Sequence, residues 1–174
     1  FRRVLFRSTN GNKCINTFFF NPVNADEIIY IVNGDEFGTN KMFNYNIPSG
    51  TTTYLANVGN YLPRINTKGW IVYSDLDNNI WKIKSKGDSL TQLTADKHSF
   101  DPVWDYSGNY IYYFAEASGS VGSQLMKVSA GGQYVNSFPQ DLANTAAFRK
   151  SDRILYQKVK IEKSPQKLQT EKLI

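Results

Sequence analysis

Cysteine and histidine are scarce in this 174-residue chain, which contains one of each, Cys14 and His98. A single cysteine cannot form an internal disulfide, and a single histidine cannot supply a histidine-rich metal site. Charged residues make up only 20% of the chain and aromatic residues 14%, a composition that excludes intrinsic disorder, collagen and a long coiled coil. No run approaches the roughly 18 consecutive apolar residues of a membrane-spanning helix, so we expect no membrane insertion.

The formal net charge of +5 is unevenly distributed along the chain. The first eight residues, FRRVLFRS, resemble the in-frame translation of a common sequencing adapter, so we interpret residues 1–8 as foreign and expect the natural chain to begin upstream. Residues 9–148 hold nine basic residues against twelve acidic ones, and a basic tail begins at Arg149. A mildly acidic body with a basic tail favours a solvated tail, so we expect no nucleic-acid partner.

Four apolar segments recur along the chain and predict a repeat protein. The second residue of each segment is isoleucine, and successive isoleucines are roughly 40 residues apart. A turn-like cluster precedes each segment, as Asn24–Glu27 does in the first unit. The four segments are Ile28–Ile31, Trp70–Tyr73, Tyr110–Tyr113 and Arg153–Tyr156.

A second segment in the first three units alternates between apolar and polar residues, which predicts a half-buried β-strand. Trp81 and Ile83 alternate with Lys82 and Lys84, for example, and a further short strand such as Leu90–Thr94 ends the unit. Each unit therefore predicts about four antiparallel strands in roughly 40 residues, the size of one propeller blade. We divide the chain into blades at residues 9–60, 61–100 and 101–138, followed by an incomplete blade with the basic tail at 139–174.

The best-formed stretch, Asp77–Phe114, resembles the TolB-like family of β-propeller repeats. Pro102, Trp104 and Gly108 match the family pattern Pro-x-Trp-Ser-Pro-Asp-Gly, whereas the residues at 105–107 depart from it. The resemblance implies an all-β propeller fragment of four-stranded antiparallel blades, with Trp104 buried where two blades meet. Because four blades are few for such a ring, we expect these to be part of a larger one, with apolar blade faces exposed at an open end.

No catalytic constellation, resident metal or cofactor is indicated by the sequence. His98 lies between Lys97 and Ser99, where a solvated loop histidine is the simplest interpretation, and Cys14 has no histidine near it in sequence. The glycine-rich stretch at 118–123 leads into a predicted strand and holds no lysine, which favours a hairpin loop over a phosphate cradle.

The segment Asp75–Asn79 begins like a calcium loop of the form D-x-D-x-N. Ile80 stands where the glycine of an EF-hand would be, and Lys86 where its last glutamate would be. A tight hairpin turn explains the segment as well, because Asp and Asn tolerate a left-handed backbone. Both interpretations stay open: a turn, and a weak cation site.

Alternating strand directions place the loops after the second strands and the loops between blades on one face of the ring. We expect that face to carry five polar residues and to bind a basic protein or peptide partner, as a non-enzymatic recognition or scaffold module. The alternative is the substrate-gating propeller of a serine peptidase of the prolyl-oligopeptidase kind, whose catalytic domain would lie outside this chain because no Gly-x-Ser-x-Gly motif occurs here. The resemblance implies a bacterial, periplasmic or cell-envelope location. The five candidate binding residues are Asp35, Glu36, Asp77, His98 and Glu116.

Overall fold

The computed structural model describes residues 15–33, 39–116, 123–137, 148–150, 153–155, 157–159 and 170–172. Within these ranges every regular element is a β-strand, and no helix is long and apolar enough to cross a membrane. All strand pairs are antiparallel, so the predicted all-β class is confirmed.

Three four-stranded sheets follow one another along the chain, and in each of them strands that are neighbours in sequence are neighbours in space. The first sheet contains β1 (Ile15–Asn21), β2 (Asn24–Asn33), β3 (Asn40–Asn46) and β4 (Thr51–Val58). The second contains β5 (Arg64–Ile65), β6 (Trp70–Ser74), β7 (Ile80–Lys84) and β8 (Thr91–Gln92). The third contains β9 (Ser99–Trp104), β10 (Tyr110–Glu116), β11 (Ser123–Ser129) and β12 (Tyr134–Ser137). Two shorter pairs follow, β13 (Phe148–Lys150) with β14 (Arg153–Leu155) and β15 (Gln157–Val159) with β16 (Thr170–Lys172).

The first and second sheets pack face to face through apolar side chains that alternate along their strands. In β2, Ile29 and Ile31 are buried in this contact, whereas Tyr30 between them points to the opposite face. The partners from the second sheet include Ile71, Tyr73 and Ile83. Alternation along the strand therefore gives the first sheet a face that is covered by the second sheet and a face that is not.

The second and third sheets pack in the same way around a tryptophan. Val72 and Ile80 of the second sheet meet Trp104 and Ile111 of the third. Trp104 is 2% exposed, and its indole Nε1 donates a 3.2 Å hydrogen bond to the carbonyl of Arg64 in the preceding sheet. The prediction that Trp104 is buried where two repeats meet is confirmed.

Strand pairing corrects the alignment of the first repeat by one residue. Trp104 lies opposite Ile111 and Ile65 lies opposite Ile71, but in the first sheet Phe20 lies opposite Ile28 rather than Ile29. The register shifts between Phe20 and Asn21, and the extra residues lie inside β2. The cluster at 24–27, expected to be a turn, is therefore part of a strand.

One edge of the sheets, which we call the hairpin rim, carries the turns between first and second strands and between third and fourth strands. Asn66 Oδ1 accepts hydrogen bonds from the main-chain N–H groups of Lys68 and Trp70, and Asp105 Oδ1 accepts those of Asn109 and Tyr110. These side chains close their turns because a short polar side chain can replace a main-chain acceptor.

Glycine is required in one of these turns. Gly108 has a φ of 67°, and a Cβ there would lie 2.8 Å from Nδ2 of Asn66 in the preceding sheet. Both the left-handed backbone and the close approach exclude a larger residue without strain.

A buried carboxylate joins the first and second sheets at the hairpin rim. Glu27 accepts hydrogen bonds from Nδ2 of Asn21 (2.7 Å) and Nδ2 of Asn24 (3.0 Å). Asn21 Nδ2 also lies 3.1 Å from Oγ of Ser85 in the second sheet, whose carbonyl accepts a 2.8 Å bond from Asn44. Burial alone would raise the pKa of Glu27, but hydrogen bonds from Ser85, Asn21, Asn24 and Asn44 together lower it below its ordinary value.

A lysine occupies the corresponding place between the second and third sheets. Lys82 lies opposite Val72 as Asn44 lies opposite Ile29, and its Nζ donates to the carbonyl of Ala130 in the third sheet. The Lys82 ammonium also lies 4.4 Å from the centroid of the Trp70 ring. A side chain from the third strand therefore bonds to the next sheet's turn at both interfaces.

Candidate functional site

The opposite edge, which we call the loop rim, consists of residues 59–63, 74–80, 93–99 and 116. Main-chain hydrogen bonds tie these segments together across the sheets: Gly59 to Ser74 (2.8 Å), Ser99 to Asn78 (2.8 Å) and Glu116 to His98 (3.0 Å). The rim is continuous from one sheet to the next because connections after even-numbered strands emerge on the same side of an antiparallel meander.

Three of the five predicted binding residues lie on this rim. Asp77 is in the turn between β6 and β7, His98 precedes β9, and Glu116 ends β10; all three side chains are exposed. Asp35 and Glu36 lie outside the described residues. The structure thus brings together residues from three separated stretches of the sequence.

The turn at 75–79 is organised by the carboxylate of Asp75. Its Oδ1 accepts the N–H groups of Asp77 (3.0 Å) and Asn79 (2.8 Å), and its Oδ2 accepts the indole N–H of Trp81 (2.6 Å). Asn78 takes a left-handed conformation with a φ of 57°. These contacts are those of a hairpin turn, the first of the two interpretations of the D-x-D-x-N sequence.

The side-chain oxygens of Asp75 and Asn79 accept hydrogen bonds from donors within the protein. Oδ1 of Asn79 accepts the N–H of Lys97, which joins the turn to the connection between the second and third sheets. In the part of the chain that the structure describes, no group of three or more His, Cys, Asp or Glu side chains could hold a metal ion. The hydrogen bonds of Asp75 and Asn79 therefore support the turn interpretation.

The connection before β9 is held by Asp96. Its carboxylate accepts the N–H of His98 (3.0 Å) and the hydroxyl of Ser99 (2.8 and 2.9 Å). Ser99 is fully buried and donates to a carboxylate, so its hydroxyl is placed to stabilise the loop rather than to attack a substrate. Burial, with a contribution from Asp96, raises the pKa of the nearby Tyr113 to about 12, so that phenol stays neutral.

An aromatic side chain that the sequence did not single out, Tyr61, is exposed on the loop rim. Tyr61 stacks on Phe100 with the ring centroids 4.9 Å apart. Burial raises the pKa of Tyr61, and the charges of Asp101 and Glu116 raise it further. An apolar Tyr-Leu pair in a connection, directly before Pro63, is the sequence signal that could have identified it.

Apolar surface accompanies the polar groups of the loop rim. Leu62 and Leu76 are exposed there, next to Tyr61 and Asp77 respectively. The rim therefore combines exposed carboxylates with exposed apolar side chains. That combination suits the docking of a polypeptide, whose contact surface is part apolar and part polar.

Two features singled out in the sequence fall outside the described residues. Cys14 is one of them. The other is the glycine-rich loop, of which only Ser123, the first residue of β11, is described.

No family model matches the chain, and no curated protein matches it either. Solved structures do match. Acylaminoacyl peptidase from Pyrococcus horikoshii superposes with a TM-score of 0.68 at 12% identity, over 94% of this chain and 32% of that chain. The β-propeller domain of the Trilobed protease from Pyrococcus furiosus superposes with a TM-score of 0.66 at 12% identity, over 93% of this chain and 57% of that chain. The TolB-type protein from Agrobacterium tumefaciens superposes with a TM-score of 0.53 at 16% identity, over 75% of this chain and 50% of that chain.

These likenesses confirm the fold as that of a β-propeller fragment, of the kind seen in TolB-type proteins and in peptidase propellers. The chain covers 32%, 57% and 50% of the length of these three structures. Because the neighbours include both peptidases and a TolB-type protein, the fold is compatible with both of the functions expected from the sequence.

Proposed function

We propose that this propeller fragment is a non-enzymatic recognition module that binds a basic protein or peptide segment across the loop rim. The observation that carries the proposal is the meeting of Asp77, His98 and Glu116, from three stretches of sequence, on one rim joined by main-chain hydrogen bonds. Residues spaced across neighbouring sheets offer contacts to an extended partner rather than to a small molecule.

Charge favours a basic partner. Asp77 and Glu116 are exposed, and the exposed Asp96 adds a third negative charge to the rim against the one positive charge of Lys97. Carboxylates gathered on one surface raise the local negative potential, which speeds the encounter with cationic partners. Tyr61 and Leu62 would supply the apolar part of the contact.

Charge reversal on each rim tests the proposal. Asp77→Lys with Glu116→Lys alters the loop rim, and Asp26→Lys with Asp88→Lys is the matched pair of exposed carboxylates at the other edge. The probes are lysine-rich, neutral and glutamate-rich peptides of equal length, titrated by calorimetry. We expect the lysine-rich peptide to bind best and the loop-rim pair to weaken it at least about tenfold. An equal loss in both pairs, or no preference among the peptides, would overturn the proposal.

The second candidate function is the propeller of a serine peptidase of the prolyl-oligopeptidase kind. The observation in its favour is that two of the structural neighbours are an acylaminoacyl peptidase and the propeller of a protease. In that case the chemistry would reside in a separate hydrolase domain, and this chain would filter substrates. The full reading frame decides between the two functions, since a Gly-x-Ser-x-Gly element after the propeller would favour the peptidase.

A cell-envelope or periplasmic location is part of the proposal. The similarity to the TolB-type protein supports this location, whereas the peptidase alternative does not require it. An upstream signal peptide in the full reading frame would support the envelope location and the recognition function together.

A further inference from the structure

Three lysines of the second sheet and its turns come together at the hairpin rim, where this sheet meets the third. Lys82 and Lys84 lie on the same face of β7, and the Nζ of each lies 4.4 Å from the centroid of the Trp70 ring. Nζ of Lys84 also donates a 2.9 Å hydrogen bond to the carbonyl of Lys68. Burial lowers the pKa of Lys82, and the positive charge of Lys84 lowers it further. We call Lys68, Lys82 and Lys84 the lysine cluster.

The contacts of the lysine cluster form a closed chain with the third sheet. Nζ of Lys68 donates a 2.8 Å hydrogen bond to Oδ1 of Asn109, and Nζ of Lys82 donates to the carbonyl of Ala130. The N–H of Ala130 in turn donates a 2.7 Å bond to the carbonyl of Asn109. The three ammonium groups therefore surround one small area between the two sheets, and they are not spread along the rim.

The oxygens that these ammonium groups contact are all neutral: the side-chain amide of Asn109 and the main-chain carbonyls of Lys68 and Ala130. In the part of the chain that the structure describes, none of the three lysines forms an ion pair with a carboxylate. The carboxylates of Asp88 and Asp105 lie in neighbouring turns and accept hydrogen bonds from groups of their own turns. Each ammonium carries three N–H donors, so it can bind a negative oxygen and keep its contact with the protein.

The first interface holds a carboxylate where the second holds an aromatic ring. Trp70 occupies the position of Glu27, because each directly precedes the isoleucine that pairs with the first strand of its sheet. Glu27 accepts a hydrogen bond from Nδ2 of Asn21, whereas Nδ2 of the equivalent Asn66 is buried without a partner. Oδ1 of Asn66 accepts the N–H groups of Lys68 and Trp70, which fixes the orientation of the amide. A buried donor thus accompanies the lysine cluster, at the place where the first interface has its negative charge.

From this arrangement we propose that the lysine cluster binds a multivalent oxyanion with the chemistry of phosphate. Its oxygens would supply to the second interface the negative charge that Glu27 supplies to the first, with Nδ2 of Asn66 as an additional neutral donor. Lysine binds phosphate as a point charge, and three ammonium groups favour a dianion over a single carboxylate. The Trp70 ring favours the positions of two of these groups through cation–π contacts. The hairpin rim is the edge opposite the loop rim, so this site is separate from the surface proposed for a basic partner.

The indole N–H resonances of the chain report binding directly. Trp70 contacts the lysine cluster, whereas the indole of Trp81 donates to Asp75 on the loop rim and serves as the internal reference. Inorganic phosphate is titrated into the unaltered chain at an ionic strength held constant with chloride, and Trp70→Phe assigns the resonance. We expect a saturable shift at Trp70 and little change at Trp81. No saturable shift at Trp70, or an equal shift at Trp81, would overturn the proposal.

Two further anions define the ligand. Acetate, a monoanion, should require at least about tenfold higher concentration than phosphate to produce the same shift. Methyl phosphate distinguishes the source of the anion: equal binding would support an esterified phosphate group, and binding of inorganic phosphate alone would support the free ion. Acetate that binds as tightly as phosphate would contradict a site for a multivalent anion.

Matched charge removal makes the result specific. Lys68→Gln with Lys84→Gln should raise the dissociation constant for phosphate at least about tenfold, measured by calorimetry. Lys86→Gln with Lys97→Gln removes the same charge from exposed lysines and should change it far less. Lys68→Arg with Lys84→Arg keeps the charge and should retain binding. Equal losses in the two glutamine pairs would show a general effect of net charge and contradict the proposal. The titration of the unaltered chain decides the question even where a variant does not fold.

Discussion

The two rims of the sheets differ in what their charged side chains contact. At the hairpin rim the ammonium groups of Lys68 and Lys82 donate to oxygens of the next sheet, at Asn109 and Ala130. At the loop rim Asp77 and Glu116 are exposed; the N–H of Asp77 donates to Asp75 within its turn, and the N–H of Glu116 donates to the carbonyl of His98. Two lysines of the hairpin rim therefore join neighbouring sheets through their side chains, whereas the carboxylates of Asp77 and Glu116 on the loop rim are exposed.

This difference separates stability from binding. Variants of the buried hairpin-rim residues that contact the next sheet should change the free energy of unfolding because they remove buried contacts between sheets. Charge changes at Asp77 and Glu116 should leave stability within the narrow range typical of exposed sites and alter binding instead. The predictions below test the separation, beginning with the largest expected effect.

Trp104→Ala should produce the greatest loss of stability. Trp104 is buried between the second and third sheets and donates to the carbonyl of Arg64, so truncation leaves a cavity and removes that hydrogen bond. We expect a loss of about 3–5 kcal/mol, measured by urea denaturation. Ile65→Ala, at the equivalent but half-buried position, should cost less. A loss below about 1 kcal/mol for Trp104→Ala would show that this interface does not depend on the tryptophan.

Glu27→Gln should cost about 1–3 kcal/mol at neutral pH. The carboxylate accepts from Asn21 and Asn24, and an amide in its place would direct an NH₂ group at one of these donors. Chemical denaturation of the variant and the unaltered chain measures the effect, with Asp26→Asn as the exposed control. Equal losses for the two variants would mean that the buried carboxylate contributes nothing specific.

The same carboxylate predicts a pH dependence. The pKa of Glu27 in the folded protein lies below its ordinary value of 4.5. The contribution of Glu27 to the free energy of unfolding is therefore fully present well above pH 4.5. It is lost as the pH falls toward the pKa of the folded protein, because Glu27 of the unfolded chain takes up its proton at a higher pH. The pKa of Asp105 is also lowered, so Asp105 contributes to the pH dependence as well. The quantity to follow is therefore the difference in free energy of unfolding between the unaltered chain and Glu27→Gln. That difference should shrink on acidification; a constant difference would contradict the assignment.

Ala130→Ser should give the smallest effect, and a favourable one. Asn66 corresponds to Asn21 and Ala130 to Ser85, but Nδ2 of Asn66 is buried without a partner, whereas Nδ2 of Asn21 reaches Oγ of Ser85. A hydroxyl at position 130 would accept that donor and raise stability by about 0.5–1.5 kcal/mol. Ser85→Ala should act in the opposite direction. If Ala130→Ser lowers the unfolding midpoint, the two interfaces are not equivalent at this position.

The sequence predicted those strands whose pattern of apolar residues reflects which side chains are buried. The recurring apolar segments at Trp70 and Tyr110 predicted β6 and β10, and the alternation around Ile83 predicted β7, because a half-covered strand must alternate. Trp104 was identified from the family pattern. The gathering of Asp77, His98 and Glu116 on one rim also followed, because strand direction alone determines it.

The polar contacts between sheets could not be predicted from the sequence. Asn24–Glu27 has the composition of a turn, and only the shift in register at Asn21 makes it part of a strand that buries Glu27. Ser85 of the second sheet contacts Asn21 of the first sheet. Local sequence patterns cannot predict a contact between residues so far apart in the chain. Tyr61 was missed for a similar reason, because its partner Phe100 comes from the next sheet.

The salt dependence of binding tests the central claim most directly. The claim is that exposed carboxylates at the loop rim attract a basic segment, and such attraction is screened over about 10 Å at 0.1 M salt and about 3 Å at 1 M. The affinity for the lysine-rich peptide should fall steeply with added salt in the unaltered chain and weakly in Asp77→Lys with Glu116→Lys, with both proteins unfolding at the same temperature. An affinity that does not change with salt concentration, or the same salt dependence in both proteins, would contradict the claim.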